Sequence, residues 1–218
     1  MASDPTPTSP ARITVSGTGH AARPADLARA VFVAEAVRET AAEARSAAAG
    51  IADAVLQAIR GAGVAAADVQ TAGLDLSPGW EHDGTRMVRT GFTVTNRIGV
   101  TVRDLETVGR VLDAGLEAGA TGLDGVTFAL ADPSGPETEA RRAAVEDARG
   151  RAETIASAAG GRLGALRAVA EGGEPSPYPR PMAKRAAFAQ ADSAATPVLP
   201  GVVEVTVSVT AEWELVTG

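Results

Sequence analysis

ITVSGTGHA, residues 13–21, is a short β-branched run that breaks into Gly-x-Gly. Two folds compete for it. In one, the run is the first strand of a nucleotide-binding unit, and the glycines open a helix whose amides face a pyrophosphate. In the other, it is a plain strand. Gly17, Gly19 and Ala22 fit G-x-G-x-x-A. The residues that follow do not: Arg23 precedes Pro24, and a residue before proline is pushed towards extended geometry. A dinucleotide fold also needs an acidic residue about 20 positions on, closing a second strand. Glu35 and Glu39 are the candidates, yet both lie inside AVFVAEAVRETA (residues 30–41), which reads as strand. That segment is ambiguous, since Leu27, Val31, Ala34 and Ala41 also suit a helix. No Walker motif is present. The glycines are therefore expected to let the chain turn after a first strand.

The far end of the chain has the plainest pattern. In VVEVTVSVTAEWEL (residues 202–215), Val203, Val205, Val207, Val209, Ala211, Trp213 and Leu215 share one face. Glu204, Thr206, Ser208, Thr210, Glu212 and Glu214 share the other. Period two over this length predicts a long strand with one buried face. Its three carboxylates have no evident partner and are expected to be solvated.

A second long strand runs through MVRTGFTVTNRIGVTV (residues 87–102), with Phe92, Val94, Ile98, Val100 and Val102 in phase and Asn96 interrupting. Asp104 can cap the next helix, whose stripe is Leu105, Val108, Val111, Leu112 and Leu116. An earlier helix carries Ile51, Val55, Ala58 and Ile59 and stops at Gly61 or Gly63. A third opens near Pro136, with Glu137 and Glu139 at its positive end, and closes at Gly160-Gly161. Its stripe is nearly all alanine (Ala140, Ala144, Ala148, Ala152, Ala159), with Ile155.

Shifting the chain by 56 residues superposes Val55 on Val111, Leu56 on Leu112, Ala58 on Ala114 and Ala62 on Ala118. It also superposes Gly63 on Gly119, Asp68 on Asp124, Thr71 on Thr127 and Leu74 on Leu130. Both copies read strand, helix, strand. The fold class expected is α+β: an antiparallel sheet with helices packed on one face, duplicated strand-helix-strand units and a long C-terminal strand. Residues 1–11 are expected to be a disordered tail and residues 12–216 one domain. EGGEPSPYPRPMAKRAAFAQADSAATPVLPG (residues 171–201) changes texture and predicts a long loop at about 172–200.

Composition narrows function. Of 218 residues, 45% are hydrophobic and 3% aromatic, so the core is built from Ala, Val and Leu. A net charge of −7, with Lys184-Arg185 as the one basic cluster, argues against nucleic acid. No stretch approaches the roughly 20 apolar residues of a membrane-spanning helix, so no membrane insertion is expected. The opening MASDPTPTSPAR lacks the apolar core of a secretory signal. As written the chain reads as cytoplasmic, or as periplasmic or secreted if a signal was removed. There is no cysteine, hence no disulfide or thiolate ligand. His20 and His82 are the only histidines, and Glu81-His82-Asp83 is expected to be a solvated turn rather than a metal site. No serine sits in G-x-S-x-G. Asp68 and Asp124 look like turn and cap residues. No catalytic, cofactor-binding or metal residue is assigned, no cofactor is expected, and the chain does not read as an enzyme.

With these segments placed, the chain resembles the SIMPL domain family. This bacterial family includes periplasmic and outer-membrane-associated immunogenic proteins. The matching pieces come in order: ITVSGTGHAARPADLARA, LQAIRGAGVAAADVQTAGLDLSP, GFTVTNRIGVTVRDLETVGRVLDAGLEAGA, GLDGVTFAL, ARRAAVEDARGRAETIASAAGGRLGAL and PVLPGVVEVTVSVTAEWEL. They span roughly residues 12–216. The resemblance implies an α+β fold, a strand for AVFVAEAVRETA, and a strand-to-strand connection at the Gly-x-Gly. It implies no established active site. It further implies ring- or cage-like oligomers and, for some members, a link to oxidative-stress tolerance.

The reading that follows is a non-enzymatic, self-assembling scaffold whose partner is itself, in a closed homo-oligomer of more than two subunits. No other protein partner is indicated. The loop carries Tyr178, Met182, Phe188, Val198 and Leu199, which are the expected oligomer contacts. The alternative is a small-molecule binding module using a loop-lined oligomer interior.

Overall fold

The computed structural model describes residues 11–82, 84–173, 176–180 and 198–217. Its elements in chain order are β1 (Arg12–Pro24), β2 (Leu27–Arg38), α1 (Ala41–Gly61), β3 (Val69–His82), β4 (Met87–Val102) and α2 (Val108–Glu117). There follow β5 (Gly122–Ala129), α3 (Ser134–Ala158), β6 (Gly161–Glu171), β7 (Ser176–Arg180) and β8 (Val202–Thr217). The fold is α+β with antiparallel sheets. It divides into two compact units, one holding β1, α3 and β6 to β8, the other β2 to β5 with α1 and α2.

In the unit built from β2 to β5, the sheet order is β3-β4-β2-β5, and every neighbouring pair is antiparallel. The path is strand-helix-strand followed by strand-helix-strand. The two passages are unequal: α1 has 21 residues and α2 has 10, and β3 has 14 residues against 8 in β5. The ambiguous stretch around Phe32 is strand. Tertiary pairing on both sides, to β4 and β5, overrides its helical periodicity. Phe32 is fully buried among Val55, Ile59, Val108 and Val111. A Cβ at Gly115 of α2 would have three atoms of the Phe32 ring at 2.9 Å or less, so the helix keeps a glycine where that ring must fit. Thr40 caps α1 reciprocally with Glu43. Asp104 caps a short turn of 3-10 helix, Leu105–Thr107, through the Glu106 N–H, and α2 starts beyond it.

In the other unit the sheet order is β1-β8-β6, and β7 pairs with the first part of β8, Val202 to Thr206. The segment expected as loop thus contains a short strand. The inward face of β8 is the one its alternation predicts: Val203, Val205, Val207, Val209, Ala211 and Trp213 are all buried. They pack with an alanine row of α3 (Ala140, Ala144, Ala148, Ala152, Ala156) spaced four apart. Two sequence assignments in that row need correction. Ala159 is the C-cap rather than a stripe position, and Ile155 is exposed.

The opening glycines also need correction. They do not turn the chain, and they are not a connection between strands. Gly17 and Gly19 lie in mid-β1, two residues apart on one face. That face meets the alanine row. A Cβ at Gly17 would lie 2.7 Å from the Ala148 Cβ, and one at Gly19 2.9 Å from the Ala143 Cβ. Helix backbone, at Ala144 and Ala140, comes closer still. The glycines are there because a helix backbone approaches the strand.

Candidate functional site

The chemistry-bearing residues are scattered. His20 on β1 has Nδ1 3.0 Å from Thr206 Oγ1 and 3.1 Å from Glu204 Oε1. His82, at the end of β3, accepts the Gly84 N–H through Nδ1 at 3.0 Å. Among the described residues no three His, Asp or Glu side chains gather as a metal would require.

The outer face of β8 was expected to carry unpartnered carboxylates. Instead each pairs with a neighbouring strand. Glu212 accepts from Arg12 of β1 at 2.7 Å, Glu214 accepts from Arg167 of β6, and Glu204 faces His20. Ser16 and Thr210 hydroxyls meet at 3.2 Å. This is a cross-strand ladder of opposite charges and hydroxyls, which fixes strand register. Period two in one strand shows which residues face out. It does not show which strand lies beside them, so the ladder was not legible in the sequence.

Asp68 and Asp124 also have specific partners. Arg103 donates to both oxygens of Asp68, at 2.7 to 3.0 Å, and Arg97 donates to Asp124 at 3.0 Å. The Arg103 guanidinium holds the Asp68 carboxyl below the ordinary aspartate value. This pair edges a cleft of about 340 Å³, lined among others by Val64, Val102, Asp104, Thr107 and Arg110.

Of the predicted contact residues, Tyr178, Val198 and Leu199 fall within the described residues. The backbone of Tyr178 pairs with Glu204 in the β7–β8 ladder. Val198 is half-buried against the core around Phe32, and Leu199 is 78% exposed. Met182 and Phe188 lie outside the described residues.

The most prominent surface feature was not foreseen. Strand β2 ends at Arg38, opposite Phe92, while β3 and β4 stay paired out to His82 and Met87. The far part of that hairpin is therefore a two-stranded arm. Its root is a glycine pair, Gly79 opposite Gly91, with a register shift beside it. Gly91 has φ +138°, and a Cβ there would press 2.6 Å from the Arg38 carbonyl oxygen. A bulge of this kind re-aims a strand. Beyond it Trp80 is 56% exposed and Met87 57% exposed. Nearer the sheet, Leu74 and Leu76 are also exposed and line a groove of about 280 Å³ with Ala41, Ala42, Arg45, Asp75 and Val94. The sequence signal was present in GLDLSPGW, whose apolar residues sit in a weak strand pattern between glycines.

The fold these surfaces sit on matches a known family. A family model described as SIMPL, protein of unknown function (DUF541), fits residues 13–213, which is β1 through most of β8. The chain belongs to the SIMPL family. The 26 kDa periplasmic immunogenic protein of Brucella abortus (strain S19) is 32% identical over 216 residues, covering 95% of this chain and 86% of its own length. The protein of the same name from Brucella melitensis biotype 1 also shows 32% identity over the same 95% and 86%. The uncharacterized protein YggE of Escherichia coli (strain K12) is 28% identical over 127 residues, 57% of this chain and 52% of its own length. As a SIMPL chain, the molecule is an α+β protein whose matched segment includes the arm and part of the charge ladder. No helix among the described residues is long and apolar enough to cross a membrane.

Proposed function

We propose that this SIMPL protein is a non-enzymatic scaffold that assembles with copies of itself into a closed homo-oligomer of more than two subunits. The observation that carries the reading is the arm. A two-stranded hairpin is marginal in water by itself, and this one exposes Trp80, Met87 and Val88 along its length. Apolar side chains on a projecting arm gain most when a second surface removes them from water. Closed symmetry is the common outcome when the second surface belongs to another copy. Leu199 belongs to the same proposal as a further contact.

The test is light scattering on the intact chain and on a variant in which residues 79–90 are replaced by Asn-Gly. The intact protein is expected to exceed two subunits and the shortened one to fall apart with its fold unchanged by circular dichroism. A monomeric intact protein overturns the reading. Periplasmic residence is proposed from the named Brucella proteins, and fractionation of the source cell checks it. A part in stress tolerance is proposed from the family resemblance alone, to be checked by peroxide survival of a deletion strain.

A second reading, binding of a small polar molecule, is supported by the cleft beside Asp68 and Arg103. Its place differs from the loop-lined interior expected from sequence.

A further inference from the structure

We propose that the far end of the arm binds a soft monovalent metal ion, Cu(I) by its chemistry. The thioether of Met87 and the imidazole of His82 hold the ion, and the Trp80 indole covers it. All three side chains come from one hairpin of one chain, so the site exists whether or not the protein self-assembles.

Register makes the placement. His82 of β3 is the direct cross-strand partner of Met87 of β4, and Trp80, two residues back along β3, pairs with Arg89. Side chains two apart on a strand, and those directly opposite, stand on one face. Directly opposed Cβ atoms are about 4.5–5.5 Å apart, so a sulfur and a ring nitrogen can reach one ion between them. The chain has two histidines and three methionines, and this hairpin sets one of each face to face. Glu81, the neighbour of His82 along the chain, pairs with Val88 on the opposite face. Met87 is 57% exposed and Trp80 56% exposed, so an ion enters without opening a core.

The donors choose the ion. No third His, Asp or Glu joins His82 among the described residues, as zinc or a hard divalent cation would want. A thioether is a soft, neutral donor that selects Cu(I), and imidazole suits copper as well. A closed-shell monovalent ion needs few donors, in a linear or trigonal arrangement. The face of an indole adds attraction for a cation held over it. Arg89 does not compete for that place. Its guanidinium lies over the Phe92 ring, 4.9 Å from the centroid, and Phe92 pairs with Pro78 at the root of the arm. His82 Nδ1 accepts the Gly84 N–H at 3.0 Å. An ion on Nδ1 displaces that donor, and an ion on Nε2 leaves the ring proton on Nδ1, facing the amide. Either way the Gly84 bond breaks, so its amide reports occupancy.

Ag(I), added as silver nitrate in chloride-free buffer, is the probe, because it matches Cu(I) in charge and softness without redox chemistry. The full chain is titrated and followed by tryptophan emission, amide resonances and calorimetry. Trp213 is only 5% exposed, so quenching reports on Trp80. Saturable quenching and a shifted Gly84 amide are expected. His82→Ala and Met87→Leu are each expected to weaken binding at least about tenfold, the loss that even an outer partner of a metal site brings. Trp80→Phe is expected to weaken it about two- to fivefold, the worth of a cation over an exposed ring. His20→Ala and Met182→Leu are expected to leave it unchanged. Cu(I) under argon should displace the silver, and excess zinc should not. Circular dichroism checks that every variant is folded. Absence of saturable binding, or binding that survives Met87→Leu or His82→Ala, overturns the site. So does an equal loss in Met182→Leu. Displacement by zinc, or none by Cu(I), overturns the choice of ion. Light scattering on the same samples separates the two readings. A monomer that binds silver as described upholds the site and overturns assembly, and an oligomer that binds none does the reverse.

Discussion

Gly17 shows how much a single missing side chain decides. Its neighbour across the packing is helix backbone, which cannot swing aside as a flexible side chain would. Gly17→Ala is expected to lose about 1–3 kcal/mol or more from overpacking, read as a lower urea midpoint. Gly50 is the control: it lies in α1 with nothing within 4 Å of its would-be Cβ. Gly50→Ala is expected to gain about 0.5–1 kcal/mol from helix propensity. Loss in both variants, or in neither, would refute the close-approach reading. Between the two glycines, the Thr18 N–H donates to Asp147 Oδ2 at 2.8 Å, so α3 satisfies an amide of the edge strand β1. That bond, and then the pair with Arg151, hold the Asp147 carboxyl below its ordinary value of 3.8. An acid whose folded pKa is depressed adds stability above its unfolded pKa and loses it as pH falls through the folded value. The melting temperature of the wild type should therefore exceed that of Asp147→Asn at pH 6, and the gap should narrow below about pH 3.8. A gap independent of pH would show that the carboxylate charge is not what matters.

Strand β8 and helix α3 illustrate the element scale. Val207 is buried under the alanine row, and Ser208 is exposed on the ladder face. Val207→Asp is expected to cost about 3–5 kcal/mol, because it buries an unpaired charge. Ser208→Asp is expected to stay within about 1 kcal/mol, since a solvated surface position tolerates the change. Equal losses of melting temperature would invert the assigned faces. The face itself was legible from alternation, because a strand with one buried side must repeat every two residues. The helix was legible too, but not the role of its alanines. A small-residue stripe says only that something comes close, and only the packed structure shows that Gly17 and Gly19 receive it. Likewise, Glu204, Glu212 and Glu214 were legible as outward residues, but their partners come from strands more than 40 residues away in sequence.

For the whole molecule, the chain path carries a prediction of its own. All four strands and both helices of the β3-β4-β2-β5 sheet fall within residues 24–131. Its core, centred on Phe32, Val55, Ile59 and Val111, needs little from elsewhere beyond Val198 at its margin. A fragment of residues 24–131 is expected to fold cooperatively on its own, with mixed α and β signal in circular dichroism and dispersed amide resonances. A fragment without a melting transition would show that the segment around Val198 is required. The other unit is assembled from both ends of the chain, since β1 has β8 as its ladder partner. Removal of residues 202–218 should therefore unfold it and leave β1 unpaired.

The sequence by itself determined the α+β class, the inward face of β8, the existence of α1, α2 and α3 and the exclusion of a phosphate loop at residues 17–19. These follow from local rules: the strand and helix periods, and the extended geometry forced by Pro24 on its predecessor. Tertiary structure decided why the glycines are there, which strands carry the cations facing β8, and where the apolar surface lies. The long loop attracted attention because its composition is unusual. The exposed apolar residues the structure reveals are on a hairpin that outruns its neighbouring strand. How far β2 extends beside β4 is set by pairing across more than 50 residues of chain, and no local pattern encodes that length.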